Sequence, residues 1–142
     1  MFKILSNSAN NLKIAFAATL KHIDDVAHEV QKLLILNNHK DELFDIILGI
    51  REALTNAVCH GCHKDEQQLI IFDMRLANDY IIKIEDTGAG FDWRSYLDAN
   101  LPTTQSSGRG IAIMKKSFNN INYNEKGNII TLKKTIKERG HR

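Results

Sequence analysis

The spacing of apolar residues changes period midway along this chain, and the change limits what it can fold into. From about Asp41, the residues Leu43, Ile47, Ile50, Leu54 and Ala57 or Val58 recur at three- and four-residue steps, which is one buried helical stripe. Soon afterwards "QLIIFDMRL" and "YIIKIED" are apolar, β-branched runs joined by Ala77-Asn78-Asp79, a hairpin of two strands. A helix of one period therefore has to pack on strands of another.

The flanking segments extend both patterns. "NLKIAFAATL" alternates loosely and is a candidate first strand; a helix is predicted from about Ile23 to Leu36, with Val26, Val30 and Leu33 or Leu34 on one face. "RGIAIMKKSF" resumes a helical pattern, and "NINYNEKGNIITLKK" closes with two strands about the turn Glu125-Lys126-Gly127-Asn128. Helices mostly precede antiparallel strands. The expected fold class is α+β, a two-layer sandwich with helices on one face of a mixed, mostly antiparallel sheet.

With no repeat, no low-complexity linker and a single proline, Pro102, the 142 residues read as one domain over 1–142. A hydrophobic share of 43% beside 25% charged residues sets aside the disordered and membrane classes. A net charge of +2 is too small for a phosphate-backbone binder, so no direct nucleic-acid partner is expected, and "KKTIKERGHR" reads as a soluble terminus. No apolar stretch approaches the ~20 residues of a membrane helix. The one candidate leader core, "IAFAATL", follows the polar "SNSANN" and runs into "KHIDD" without a cleavage site, which predicts a cytoplasmic protein without membrane attachment.

Cys59-His60-Gly61-Cys62-His63 has the C-x-x-C-H pattern of covalent haem attachment. That chemistry requires export, which the N-terminus does not suggest. Zinc would need a second ligand pair, and His22, His28 and His39 are scattered over polar helix positions. The motif is therefore read as part of the helix that leads into it, with Gly61 as that helix's terminator.

On that helix, at about 100° per residue, Asp45, Gly49, Glu52, Asn56 and Cys59 cluster opposite the Leu43/Ile47/Ile50/Leu54 stripe. Glu52 and Asn56 are four apart, so a carboxylate and an amide oxygen face a common point, and Gly49 one turn earlier permits close approach to the backbone. In isolation such a pair is usually just a solvated helix face. Two further segments change its meaning. "EDTGAGF" follows a strand and pairs an acid with two glycines that allow unusual backbone turns and close approach of a ligand. "SSGRGIAIM" puts Gly108 and Gly110 at a helix start, where free N–H groups and the dipole favour phosphate. The chain has no G-x-x-x-x-G-K-[ST] loop, so phosphate binding would rest on backbone N–H groups and metal.

In this order and spacing, "EALTNAVCHG", "DTGAGF" and "GRGIAIM" resemble the N box and the two glycine boxes of the GHKL superfamily, the Bergerat ATP-binding fold of gyrase, MutL and histidine kinases. The resemblance runs from about residue 12 to 135 and is strongest to the small anti-sigma serine/threonine kinases of bacterial partner switching. It implies ATP and Mg²⁺ as cofactors. Glu52 would be the catalytic carboxylate toward the attacking hydroxyl, and Asn56 the Mg²⁺ ligand. Asp86 would accept from the adenine amino group, with Gly88 and Gly90 shaping the pocket floor. Gly108, Arg109 and Gly110 would hold the phosphates, and Thr131 matches a family position near the adenine. Residues 92–107 would form a lid, with Trp93 anchoring its base.

The implied partners are a sigma factor or equivalent target, sequestered by the protein, and a STAS-type anti-anti-sigma protein phosphorylated on serine, with the kinase acting as a homodimer. Two alternatives carry different expectations: a catalytically silent ATP-binding module, against which an intact Glu52 speaks, and a histidine-kinase catalytic domain, which needs a dimerising helix pair ahead of the N-box helix.

Overall fold

The computed structural model describes residues 1–88, 94 and 106–136. In chain order the elements are β1 (Phe2–Ser8), β2 (Asn11–Ala17), α1 (Lys21–Leu36), α2 (Leu43–Asn56), β3 (Leu69–Leu76), β4 (Asp79–Asp86), α3 (Ser106–Ser117), β5 (Asn120–Tyr123) and β6 (Ile129–Thr135). The six strands form one sheet ordered β1-β2-β3-β4-β6-β5. The expected α+β class holds, and the sheet is antiparallel at every pairing among the described residues.

Register explains where the core sits. Successive side chains of a strand point to opposite faces, so residues paired across strands share a face. Leu12, Met74, Ile82, Leu132 and Ile121 stand opposite one another in one row across the sheet; Ile14, Phe72, Ile84, Ile130 and Tyr123 form the next. Most of these side chains are buried beneath the helices. The third row, Phe16, Ile70 and Asp86, ends in a carboxylate. A charge-bearing group thus completes an apolar layer at the end of β4, and it is only 5% exposed.

The opposite face carries the row Lys13, Asp73, Lys83, Thr131 and Asn122. Alternating charges stand directly opposite one another there, an arrangement that favours this register over a slipped one.

Helix α1 buries Ile23, Val26, Ala27, Val30, Leu33 and Leu34, the face its periodicity predicts. Helix α2 is rotated from expectation. It buries Ile46, Gly49, Ile50, Ala53, Leu54 and Asn56, whereas Leu43 and Ile47 are only partly covered and Phe44 is 74% exposed. Gly49 is the cause. A Cβ built there would lie 2.4 Å from Phe118 Cε2 and 2.8 Å from Ser117 Cβ, so what approaches this glycine is the end of α3. A stripe counted from side chains misses a contact made by the absence of one.

Strand β1 has no counterpart in the sequence reading. Beyond the half-buried Phe2 its residues are exposed, so no alternation marks it, and pairing with β2 defines it instead, with a register shift between Ile4 and Ser6. Gly61 does not end α2 in the expected way either. The helix runs into a wider turn over Ala57–Gly61, and the left-handed residues beyond it are His63 and Lys64, with φ of 52° and 60°. Among the described residues, no helix is long and apolar enough to cross a membrane.

Candidate functional site

At the end of β4, the wide turn after α2 meets the start of the loop that follows Asp86. The Gly88 N–H donates to Asp86 Oδ1 at 2.9 Å. A Cβ on Gly61 would lie 2.5 Å from Asp86 Oδ2, and one on Gly88 would lie 1.9 Å from the Gly61 carbonyl oxygen. The carboxylate is therefore pressed against two backbones that approach this closely only because both residues lack a side chain. Neither Gly61 nor Gly88 has positive φ; close packing, not an unusual turn, is what requires glycine here.

Asp86 opens onto a cleft lined by Ala53, Ala57, Ile84, Tyr123, Asn128 and Ile130, with Gly127 at its edge. Ala53 and Ala57 lie one turn apart on α2 and its continuation, so two small side chains form that wall of the cleft. Apolar side chains beside a carboxylate and an amide suit the amino-bearing edge of a flat ring, since the donor meets a fixed acceptor, although the free space there is about 10 Å³, room for that edge and not for the whole ring. Burial pushes the Asp86 carboxyl above its ordinary value of 3.8, while the Gly88 N–H and Lys126 pull it down and Glu85 pushes it up.

Glu52 and Asn56 each precede one of these alanines by one residue and so flank the cleft on the same helix. Burial pushes the Glu52 carboxyl above 4.5, with His60 acting the other way. Asn56 is 6% exposed. An amide oxygen and a carboxylate one turn apart are hard oxygen donors of the kind Mg²⁺ accepts when phosphate and water complete its shell, so these residues fit that ion. Gly108 and Arg109 fall among the first four residues of α3, whose N–H groups lack intrahelical acceptors; Gly110 is the fifth, because the helix starts at Ser106, before the first of these glycines.

The structure does not bring Thr131 to this place. Its register partners are Lys83 and Asn122, on the sheet face away from Asp86, because Ile130 and Leu132 on either side of it point into the core. Asn128 lines the cleft instead. Counting back by twos from Leu132 and Ile130 reaches Asn128, so strand parity was the signal that could have found it. Gly90, Trp93 and most of the expected lid lie outside the described residues.

The cysteines of the C-x-x-C-H stretch are taken up in packing. Cys62 is 3% exposed within the core, and burial together with Asp86 pushes its thiol up to about 11; Cys59 packs partly buried against the same core.

The buried carboxylate has a consequence for stability. A folded-state pKa raised above the unfolded value means that the folded protein holds its proton more tightly, so stability is greatest below the ordinary carboxyl range and falls as pH rises through the raised value. Thermal melts of the ligand-free protein are expected to show this decline starting near pH 4. Asp86→Asn, which keeps an acceptor for the Gly88 N–H, is expected to reduce it and leave the part that the raised Glu52 carboxyl contributes. An unchanged decline in the variant would mean that other groups cause it.

Residues 16–134 match the family described as Histidine kinase-like ATPase domain. The chain belongs to this family. The matched span of this histidine kinase-like ATPase domain includes α1, α2, Asp86, α3 and nearly all of β6. It is 34% identical over 104 residues to a protein of Clostridium perfringens (strain SM101 / Type A) named Anti-sigma F factor, covering 68% of this chain and 74% of that one. A protein of the same name from Oceanobacillus iheyensis is 27% identical over 136 residues, covering 89% and 93%. One from Geobacillus sp. (strain WCH70) is 25% identical, covering 95% and 89%.

Proposed function

We propose that this histidine kinase-like ATPase domain, a single domain over residues 1–142, binds Mg-ATP and acts as an anti-sigma factor and protein serine kinase. The observation that carries the reading is the buried Asp86 at the end of an apolar cleft whose α2 wall is flanked by Glu52 and Asn56. Asp86 accepts the adenine amino group, with Gly88 and Gly90 shaping the floor. Asn56 holds Mg²⁺, which supplies charge neutralisation on the phosphates. The free N–H groups at Gly108 and Arg109 take up phosphate oxygens, with Gly110 leaving room beside them, and Glu52 orients and deprotonates the attacking hydroxyl. A half-buried carboxyl with a raised pKa suits that last role, because a base too acidic gives little drive to proton transfer.

Relatives named Anti-sigma F factor support the anti-sigma part, sequestration of a sigma factor or equivalent target. The reading adds, from the motif resemblance, phosphorylation of a serine on a STAS-type anti-anti-sigma protein by a cytoplasmic homodimer. Calorimetry with ATP and magnesium, followed by incubation with labelled ATP and a STAS-domain protein, tests it. Binding and transfer of the terminal phosphate to serine are expected. Failure to bind ATP with magnesium would remove the nucleotide reading; binding without transfer would leave a nucleotide-dependent inhibitor and remove the kinase.

A further inference from the structure

Two asparagines outside the motifs discussed so far converge on Asp86. Asn124, just after β5, accepts three backbone N–H groups on its Oδ1: those of Gly127 at 2.9 Å, Asn128 at 3.0 Å and Ile129 at 3.0 Å. That oxygen closes the turn into β6 together with two backbone bonds, from the Gly127 N–H to the Asn124 carbonyl at 3.1 Å and from the Asn124 N–H to the Ile129 carbonyl at 3.0 Å. The Asn124 Nδ2 has a separate task, donating to Asn128 Oδ1 at 2.7 Å, which fixes which way the Asn128 amide faces. The Asn128 Nδ2 then donates to the Asp86 carbonyl at 3.2 Å, and the Asn128 carbonyl accepts the Asp86 N–H at 2.9 Å.

Both backbone groups of Asp86 are therefore held by a single residue, at the point where the ladder of β4 with β6 has run out at Glu85 and Ile129. Asn128 also lines the cleft itself. The three bonds to Asn124 Oδ1 and the two backbone bonds of Asn124 close the turn without either amide nitrogen. Of the two remaining side-chain bonds, the one from Asn124 to Asn128 stays within the turn and orients the Asn128 amide, and the one from Asn128 reaches across to β4 and holds the backbone of the residue that carries the cleft's carboxylate.

We propose that Asn124 and Asn128 form a clamp that positions Asp86 to select a purine with a 6-amino group, so that both are positioning residues for nucleotide recognition. The inference rests on the nucleotide reading of the cleft. A carboxylate held in one place rewards an amino group and penalises a 6-oxo group, and the reward shrinks once the backbone beneath it is released.

The test compares affinities for ATP and for inosine triphosphate, which differ at that position, in the wild-type protein and two variants. Asn124→Asp keeps the acceptor for the three N–H groups and loses the donor to Asn128. Asn128→Ala removes both side-chain bonds. The wild type is expected to prefer ATP, and each variant to lose about tenfold of that preference, the equivalent of one lost hydrogen bond. Asn124→Asp is expected to keep the wild-type melting temperature, so it carries the test if Asn128→Ala does not fold. A preference unchanged in the folded variants, or both nucleotides weakened equally, overturns the clamp while leaving nucleotide binding intact. Equal binding of the two nucleotides by the wild type also overturns it. A wild type that binds neither overturns the nucleotide reading, and the clamp with it.

Discussion

Glu52→Ala is expected to lower phosphoryl transfer by about two to four orders of magnitude while Mg-ATP affinity stays within about threefold. The separation follows from where the side chain stands. The base end of the cleft is built from Ala53, Ala57, Ile84, Asp86 and Asn128, and Glu52 does not line it. Asn56, the proposed metal ligand, is a turn further along α2 and keeps its buried position. The truncation therefore removes a group that acts on the attacking hydroxyl and leaves those that hold the nucleotide. Steady-state transfer rates measured beside equilibrium nucleotide binding check the split. Transfer above about a tenth of the wild-type rate would sink the catalytic assignment, and a parallel collapse of binding would move Glu52 into the metal or phosphate contacts.

Gly88→Ala is expected to produce the largest loss of stability among conservative changes at the site, about 3 kcal/mol, or roughly 10 °C in melting temperature, together with loss of nucleotide binding. The added methyl would lie 1.9 Å from a backbone carbonyl, that of Gly61, and neither partner is a flexible side-chain end. Gly61 belongs to the wide turn that closes the helix, and Gly88 is tied to Asp86 by its own N–H, so relief of the clash has to move the carboxylate. Gly49→Ala makes the informative contrast. Its nearest clashes are with the buried ring of Phe118 and with Ser117 Cβ at the end of α3, and it does not line the cleft. It is expected to lower the melting temperature as well but to spare nucleotide affinity. A Gly88→Ala protein that melts and binds like the wild type would show that the two backbones are not held together as described.

Much of the fold was legible in the chain because it is written in periodicity. The buried face of α1, the β3–β4 hairpin and the strands on either side of the Gly127 turn follow from apolar residues recurring at helical or strand intervals, and burial enforces those intervals. The order of the N-box helix, the acid after a strand and the glycines at a helix start was legible for the same reason, since each motif is local. Less visible was whatever depends on two distant segments meeting. Nothing near Gly49 announces that Ser117 and Phe118 pack on it, and without that contact the stripe of α2 was placed about a residue out of phase. Strand β1 is held by pairing alone and leaves no alternation to read.

The same division runs through the site. By itself the sequence determined which residue types were available: Glu52 and Asn56 four apart on a helix, and Asp86 at a strand end, at a parity that points it inward. Only the tertiary structure decided which of them share a cleft. Thr131 was sent to the far face by the alternation between Ile130 and Leu132, and Asn128 was brought in by the register of β4 with β6. Gly61 changed meaning for the same reason. Read along the chain it ends a helix; in the folded protein its missing side chain is the space in which Asp86 rests. Local patterns record what a segment buries, whereas a site is made where segments meet, and the spacing within any one of them does not encode that meeting.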